Sequence, residues 1–299
     1  MLKAKQRPIL FILCFFLICF IFRAIEYLFI RTDQSIIGEA FIHKLIGIAL
    51  LAAAIWFIKY KWRDIGFHTD KIVRNLLIGL LLGGGVFVVG YGVEMIIQAS
   101  AGNAPALSFY VTSYAVEGNR VMQGGLLLVF VCIVGNIINV VMEEGIFRGL
   151  FVRLTEEKYS FLLACLFSSL LFGIWHIAQP VRNVLDGVQS LPGASMMALM
   201  LVGTSLLGGI QYVLLYKVTG SLWAGMVAHF INNASANLLH VVTLSGADEM
   251  QTIRITIAQT LAFIIILIMF LIDRRAKKKA EATQGVLTGA ASIDEPELA

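Results

Sequence analysis

Hydrophobic residues dominate this chain in eight long runs, and polar residues gather in the short stretches between them. Runs near or above the roughly 20 residues that cross a bilayer predict a chain built almost wholly of transmembrane helices. The expected spans are Ile9–Ile30, Phe41–Ile58, Leu76–Ile97, Gly124–Phe147, Phe161–Ala178, Met196–Tyr216, Leu222–His240 and Ile255–Ile272. In the first, Arg23 and Glu26 stand three residues apart and are able to pair on one helical face, which allows that span to end early. The segments Ala99–Val121 and Val181–Ser195, with Gly, Pro, Asn and Ser, read as loops. The pattern divides the chain into residues 1–123 with three spans, a block at 124–240 with four, and the last span with its basic stop at 241–279. The polar tail at 280–299, too poor in apolar residues to fold alone, is expected to be disordered.

Composition agrees with a membrane solvent. Hydrophobic residues make up 59% of the 299 positions and charged residues 14%, with mean hydropathy +0.85, whereas a soluble domain carries about 25% charged residues. No room is left for a soluble enzyme domain. Lys3, Lys5 and Arg7 precede the first apolar run in the manner of a secretory signal, but no small-x-small cleavage site follows, so the run reads as a retained span. Cys14, Cys19, Cys132 and Cys165 all lie inside apolar runs without metal-ligand spacing and read as small buried hydrophobes.

Charge decides orientation. With loops assigned alternately to the two sides, 17 of the 23 Lys and Arg residues fall on the side of the N-terminus. The positive-inside rule therefore predicts a multi-pass cell-membrane protein with both termini cytoplasmic, and a seven-span count would break the asymmetry. The basic residues sit at span ends, which argues against nucleic acid as a partner. The cluster Arg274–Lys279 reads as a stop at the membrane surface with an attraction to anionic lipid.

Ionisable and amide groups inside spans are costly and mark functional sites by default. In the fourth span, Asn136, Asn139 and Glu143 share one helical stripe, while Glu144 and Arg148 form an i,i+4 pair on a neighbouring stripe. One carboxylate thus has a cation on its own helix and the other does not. The fifth span carries Phe172 one turn before His176, and the seventh carries His229 one turn before Asn233. A hairpin turning near Glu157–Ser160 places Glu143 and His176 roughly 24 Å from the turn, and the Thr219-Gly220-Ser221 turn places His229 roughly 15 Å from the same surface. The groups are therefore expected to converge below the cytoplasmic face. Each also has a structural reading: a histidine that caps a span, an ion pair that braces a helix, asparagines bonded between helices. Trp175, Trp223 and Phe230 read as packing or interfacial anchors.

These residues resemble the CPBP family of intramembrane proteases, also called Abi, named for CAAX proteases and bacteriocin-processing enzymes. The match lies in EExxxR at Glu143, Glu144 and Arg148, FxxxH at Phe172 and His176, and HxxxN at His229 and Asn233, with Thr219–Trp223 leading into the third motif. The three occur in order on separate spans within about Gly124 to His240. The resemblance implies an all-α membrane fold with a polar active-site cavity near the cytoplasmic leaflet, and endopeptidase activity on membrane-associated peptides or proteins, of the CAAX type or of the leader and bacteriocin type.

Peptide hydrolysis needs a base for water, donors for the oxyanion and a proton for the leaving amine. Glu143 is the expected base, His176 the group that orients the water, and His229 with Asn233 the oxyanion donors. Glu144, Arg148 and Phe172 are the expected supports. Zinc is the alternative cofactor, with Glu143, His176 and His229 as ligands, although the HExxH spacing that supplies a separate base is missing. Two other functions stay open: a proton-coupled transporter, for which no internal repeat is found, and a bacteriocin self-immunity or interaction protein without proteolysis.

Overall fold

The structure is a computed structural model that describes residues 2–35, 39–112, 122–123, 125–246 and 248–291. It is an all-α integral membrane protein. After a short helix α1 (Leu2–Gln6) come α2 (Pro8–Ile25), α3 (Ile42–Ile58), α4 (Ile72–Ser100) and α5 (Leu126–Glu143). The last continues through a π-helical segment, Glu144–Phe151, into α6 (Val152–Glu156). Then follow α7 (Phe161–Trp175), α8 (Ala178–Leu185), α9 (Leu191–Thr219), α10 (Leu222–Leu238) and α11 (Gln251–Ala291).

Six of these helical stretches are long and apolar enough to cross a membrane: Pro8–Gln34, Ile72–Ser100, Leu126–Glu156, Phe161–Leu185, Leu191–Thr219 and Gln251–Thr283. Eight were expected. The helices at the other two positions, α3 and α10, have 17 residues each. In α10, His229, Asn232, Asn233 and Asn237 replace apolar residues and dilute its hydropathy, and its helix stops at Leu238 rather than His240.

The loops are also more regular than their composition indicates. β1 (Ala106–Phe109) pairs antiparallel with β4 (Leu239–Val242), and β2 (Val111–Thr112) with β3 (Met122–Gln123). The β-branched pair Val241-Val242 suits a strand better than a helix end. The remainder of the loop, 113–121, lies outside the described residues. In the 181–195 segment, α8 and the start of α9 replace the expected loop, with the Ser190 hydroxyl accepting from Gly193 N at the head of α9. The C-terminal tail departs likewise: α11 runs on through the basic cluster to Ala291, and only 292–299 lie outside the described residues. Cys14 is exposed on α2, while Cys19, Cys132 and Cys165 are buried.

Small residues let the helices touch. A methyl added to Gly79 of α4 would sit 2.5 Å from the Ala224 carbonyl oxygen on α10, and one on Gly209 of α9 would sit 2.8 Å from Ser169 Cβ on α7. Close backbone approach of this kind replaces the hydrophobic drive that lipid removes. The largest buried cluster joins Phe15 and Phe16 of α2, Leu51 and Ile55 of α3, Phe147 and Phe151 of the π segment, and Phe172 and Trp175 of α7.

The connections collect at two ends. At one, Tyr60 Oη donates to Glu157 at 2.8 Å, Lys158 Nζ donates to the Gln6 carbonyl at 3.1 Å, and Leu222 N donates to the Gly66 carbonyl at 3.1 Å. At the other, Arg31 holds Asp186 through two hydrogen bonds of 3.1 and 2.6 Å, Arg182 holds Asp33, and Arg254 joins Glu94 to Asp248. Burial pushes the Asp248 carboxyl up, but hydrogen bonds from His240 and Arg254 outweigh it and hold Asp248 below the usual range.

Candidate active site

The site is assembled from α5, its π-helical continuation, α7, α9 and α10. Asn139 and Glu143 lie one turn apart on α5, and the Asn139 amide donates to Glu143 Oε2 at 3.1 Å. The helix then widens at Glu144, the kind of local π turn that is frequent at functional sites. Glu143 and Glu144 project in different directions and meet the two nitrogens of one ring. Glu144 Oε1 stands 2.8 Å from His229 Nδ1, and Glu143 Oε2 stands 3.7 Å from His229 Nε2. A carboxylate only accepts, so Nδ1 carries the proton in the contact with Glu144. The Tyr212 ring stacks on the imidazole with centroids 5.2 Å apart and an 18° angle.

Arg148 is fully buried, with Nη1 3.5 Å from Glu144 Oε1. Its guanidinium lies 3.8 Å from the centroid of Phe172 and 5.5 Å from that of Tyr212. The ion pair expected from the i,i+4 spacing therefore forms, and Phe172 is more than a spacer. Its ring supports the Arg148 cation and also meets His176 edge-on at 4.9 Å. His176 Nδ1 donates to the Phe172 carbonyl at 2.8 Å, which leaves Nε2 as the acceptor end of the ring. Asn233 Oδ1 accepts from the Asn232 amide at 3.2 Å, so its own NH2 is the end left to donate.

Depth required the fold. By residue count from their turns, Glu143 and His229 stand at different levels, yet they meet. The Trp62–Ile65 turn ends on the fully buried Ile65, and α10 starts beside it because Leu222 N bonds the Gly66 carbonyl. A methyl on Gly149 would lie 2.9 Å from the Ile65 carbonyl and 3.3 Å from Leu222. α10 thus begins level with Gly149 rather than with the Glu157–Ser160 turn, and His229 and Glu143 lie similar distances beyond that level.

Two residues of the site lie outside the three motifs. Trp175, expected as a packing or interfacial anchor, donates from Nε1 to Glu143 Oε1 at 3.1 Å. An indole N–H in an apolar helix needs an acceptor, and Glu143, the carboxylate without a cation on its own helix, was the available one. Tyr212 carried no sequence signal beyond a hydroxyl late in an apolar run. Arg23 and Glu26 do not pair directly: His43 stands between them, its Nε2 3.3 Å from Arg23 Nη1 and its Nδ1 2.6 Å from Glu26 Oε2. The Arg23 guanidinium also lies 4.6 Å from the Trp175 ring, so this cluster abuts the indole that holds Glu143.

Among the described residues, no three His, Cys, Asp or Glu side chains are grouped so as to hold a metal ion. Glu143 is held by Asn139 and Trp175, and His229 Nδ1 by Glu144, which orients these groups for hydrogen bonding.

Residues 125–235 match the family model described as Type II CAAX prenyl endopeptidase Rce1-like. The match spans all three motifs and agrees with the resemblance to the CPBP family of intramembrane proteases. Searches of curated proteins and of solved structures found no significant match to the chain.

Proposed function

We propose that this chain, which carries an Rce1-like stretch at residues 125–235, is an intramembrane endopeptidase that hydrolyses membrane-associated peptides or proteins with a water activated on Glu143. The observation that carries the reading is the division of labour at His229, where adjacent carboxylates address opposite ring nitrogens. In this reading Glu143, oriented by Asn139 and Trp175, takes one proton of the water. His176 Nε2 accepts the other hydrogen bond and aims the oxygen lone pair at the scissile carbonyl. The Asn233 amide and His229, held at Nδ1 by Glu144, donate to the oxyanion that develops. Glu143 then returns the proton to the leaving amine. Purified protein offered a library of membrane peptides is expected to cut a subset at defined bonds, identified by mass spectrometry of the products. Intact folded protein that cuts none of them would favour a non-proteolytic immunity or interaction role, or proton-coupled transport.

The site is read as opening towards the cytoplasmic leaflet, with α3 and α10 as two further crossings and both termini inside. The grouping of the 59–71 and 156–160 segments with the N-terminus at one end of the bundle supports this. In a variant without native cysteines, Lys61→Cys is expected to react with a membrane-impermeant maleimide only after cell lysis and Val188→Cys in intact cells. The reverse pattern would invert the topology.

The mechanism proposed uses no metal ion. Activity is expected to survive prolonged chelation, with elemental analysis of the active sample showing no stoichiometric zinc. Loss of cleavage on chelation and its return with zinc would move Glu143, His176 and His229 into the role of ligands.

A further inference from the structure

Away from the candidate site, α7, α9 and α11 enclose a groove of about 720 Å³. Its lower walls are apolar: Leu166 of α7, Leu214 of α9, and Phe263 and Leu267 of α11. Its upper rim is basic and drawn from two helices, with Lys217 at the end of α9 and Arg274, Lys277 and Lys278 on α11. Along α11 the lining changes from apolar to charged between Phe270 and Asp273, within one turn. From Phe263 to Phe270 the apolar wall is about 10 Å deep, roughly two thirds of the hydrocarbon depth of one leaflet.

The charges on the rim do not cancel. Lys277 pairs with Asp273 at 2.7 Å and Lys217 with Glu156 at 2.5 Å. Arg274 and Lys278 enter no ion pair among the described residues, and Glu281 is the one other acidic residue lining the groove. The α7 N-terminus opens into the same rim at Ser160 and adds its partial positive charge.

We propose that this groove is a binding site for one anionic phospholipid, with an acyl chain between α9 and α11 and the phosphate held by Arg274 and Lys278. Charge complementarity selects an anion, and the apolar wall beneath the charges selects a lipid over a soluble phosphate. The site does not depend on the protease reading. It does reach the candidate site mechanically, because α9 also carries the Tyr212 that stacks on His229, and α7 ends at His176.

The test is native mass spectrometry of the full chain released from nanodiscs of phosphatidylcholine mixed with phosphatidylglycerol. Wild type is expected to retain a single phosphatidylglycerol about tenfold in preference to phosphatidylcholine. Arg274→Gln/Lys278→Gln is expected to lose that preference, since each basic residue near the surface contributes a several-fold attraction. Leu166→Trp, which narrows the apolar end and leaves the charges in place, is expected to lower retention of both lipids. Lys59→Gln/Lys61→Gln, at the same end of the bundle but outside the groove, is expected to behave as wild type. Equal retention of the two lipids by wild type overturns the site. So does an equal loss in the Lys59/Lys61 variant, which would reduce the effect to general surface charge. Displacement of the lipid by inorganic phosphate at millimolar concentration would show that the groove recognises phosphate alone, and would likewise overturn it.

Discussion

Glu143→Gln is expected to lower kcat for peptide cleavage by about 1,000-fold with little change in KM, the scale on which a positioned general base contributes to catalysis. The substitution keeps the size of the side chain. The amide oxygen still accepts from Trp175 Nε1, the contact that Glu143 Oε1 makes at 3.1 Å. What is lost is a group able to take the proton of water and return it to the leaving amine. Steady-state cleavage of a substrate found in the library screen, paired with a thermal unfolding curve for each variant, separates chemistry from folding. His176→Ala is expected to fall about 100-fold in the same assay, because it removes an orienting partner and leaves the base. Near wild-type kcat in both variants would remove the proteolytic assignment from this site.

Glu144→Ala is expected to be the most damaging single change to stability, at about 3–5 kcal/mol, the range for breaking one half of a buried ion pair. Arg148 has no exposed surface, and Glu144 is its ion-pair partner among the described residues, with the faces of Phe172 and Tyr212 as its further support. Glu144 also holds His229 Nδ1, so its loss frees the histidine as well as stranding the arginine. Unfolding in detergent, followed by intrinsic fluorescence, should show a large drop in midpoint. Adding Arg148→Met should recover part of it, because an uncharged chain of similar volume no longer needs the carboxylate. A single variant as stable as wild type, or a double variant additive in its losses, would show that the pair is not coupled.

The helix positions were legible because each apolar run is an unbroken signal in a solvent that admits few alternatives. Their lengths were less so. The apolar run of α10 extends to His240, but Leu239–Val242 pairs with Ala106–Phe109, a partner far away in sequence. Likewise α11 continues to Ala291 through a segment whose composition reads as a disordered tail. Helix ends depend on what the next residues pair with or extend from, and a window of local composition does not contain that information.

Within one helix, the sequence alone determined which side chains could meet. Glu144 with Arg148, Asn139 with Glu143 and Phe172 with His176 are all one turn apart, and all three contacts form. Spacing sets both angle and rise on a single helix, so such pairs need no tertiary knowledge. The membrane class followed for a similar reason, since hydropathy is a local property of the chain. Contacts between helices were decided only by the tertiary structure. The placing of His229 between two carboxylates, the indole of Trp175 on Glu143, the stacking of Tyr212 and the insertion of His43 between Arg23 and Glu26 all join residues on different helices. Their levels depend on where each helix starts and how closely its small residues let it approach its neighbours. At His229 that level is set by the contact of Leu222 with Gly66, beside the buried Ile65, and by the glycine contacts of α4 with α10, features that leave no period in the sequence.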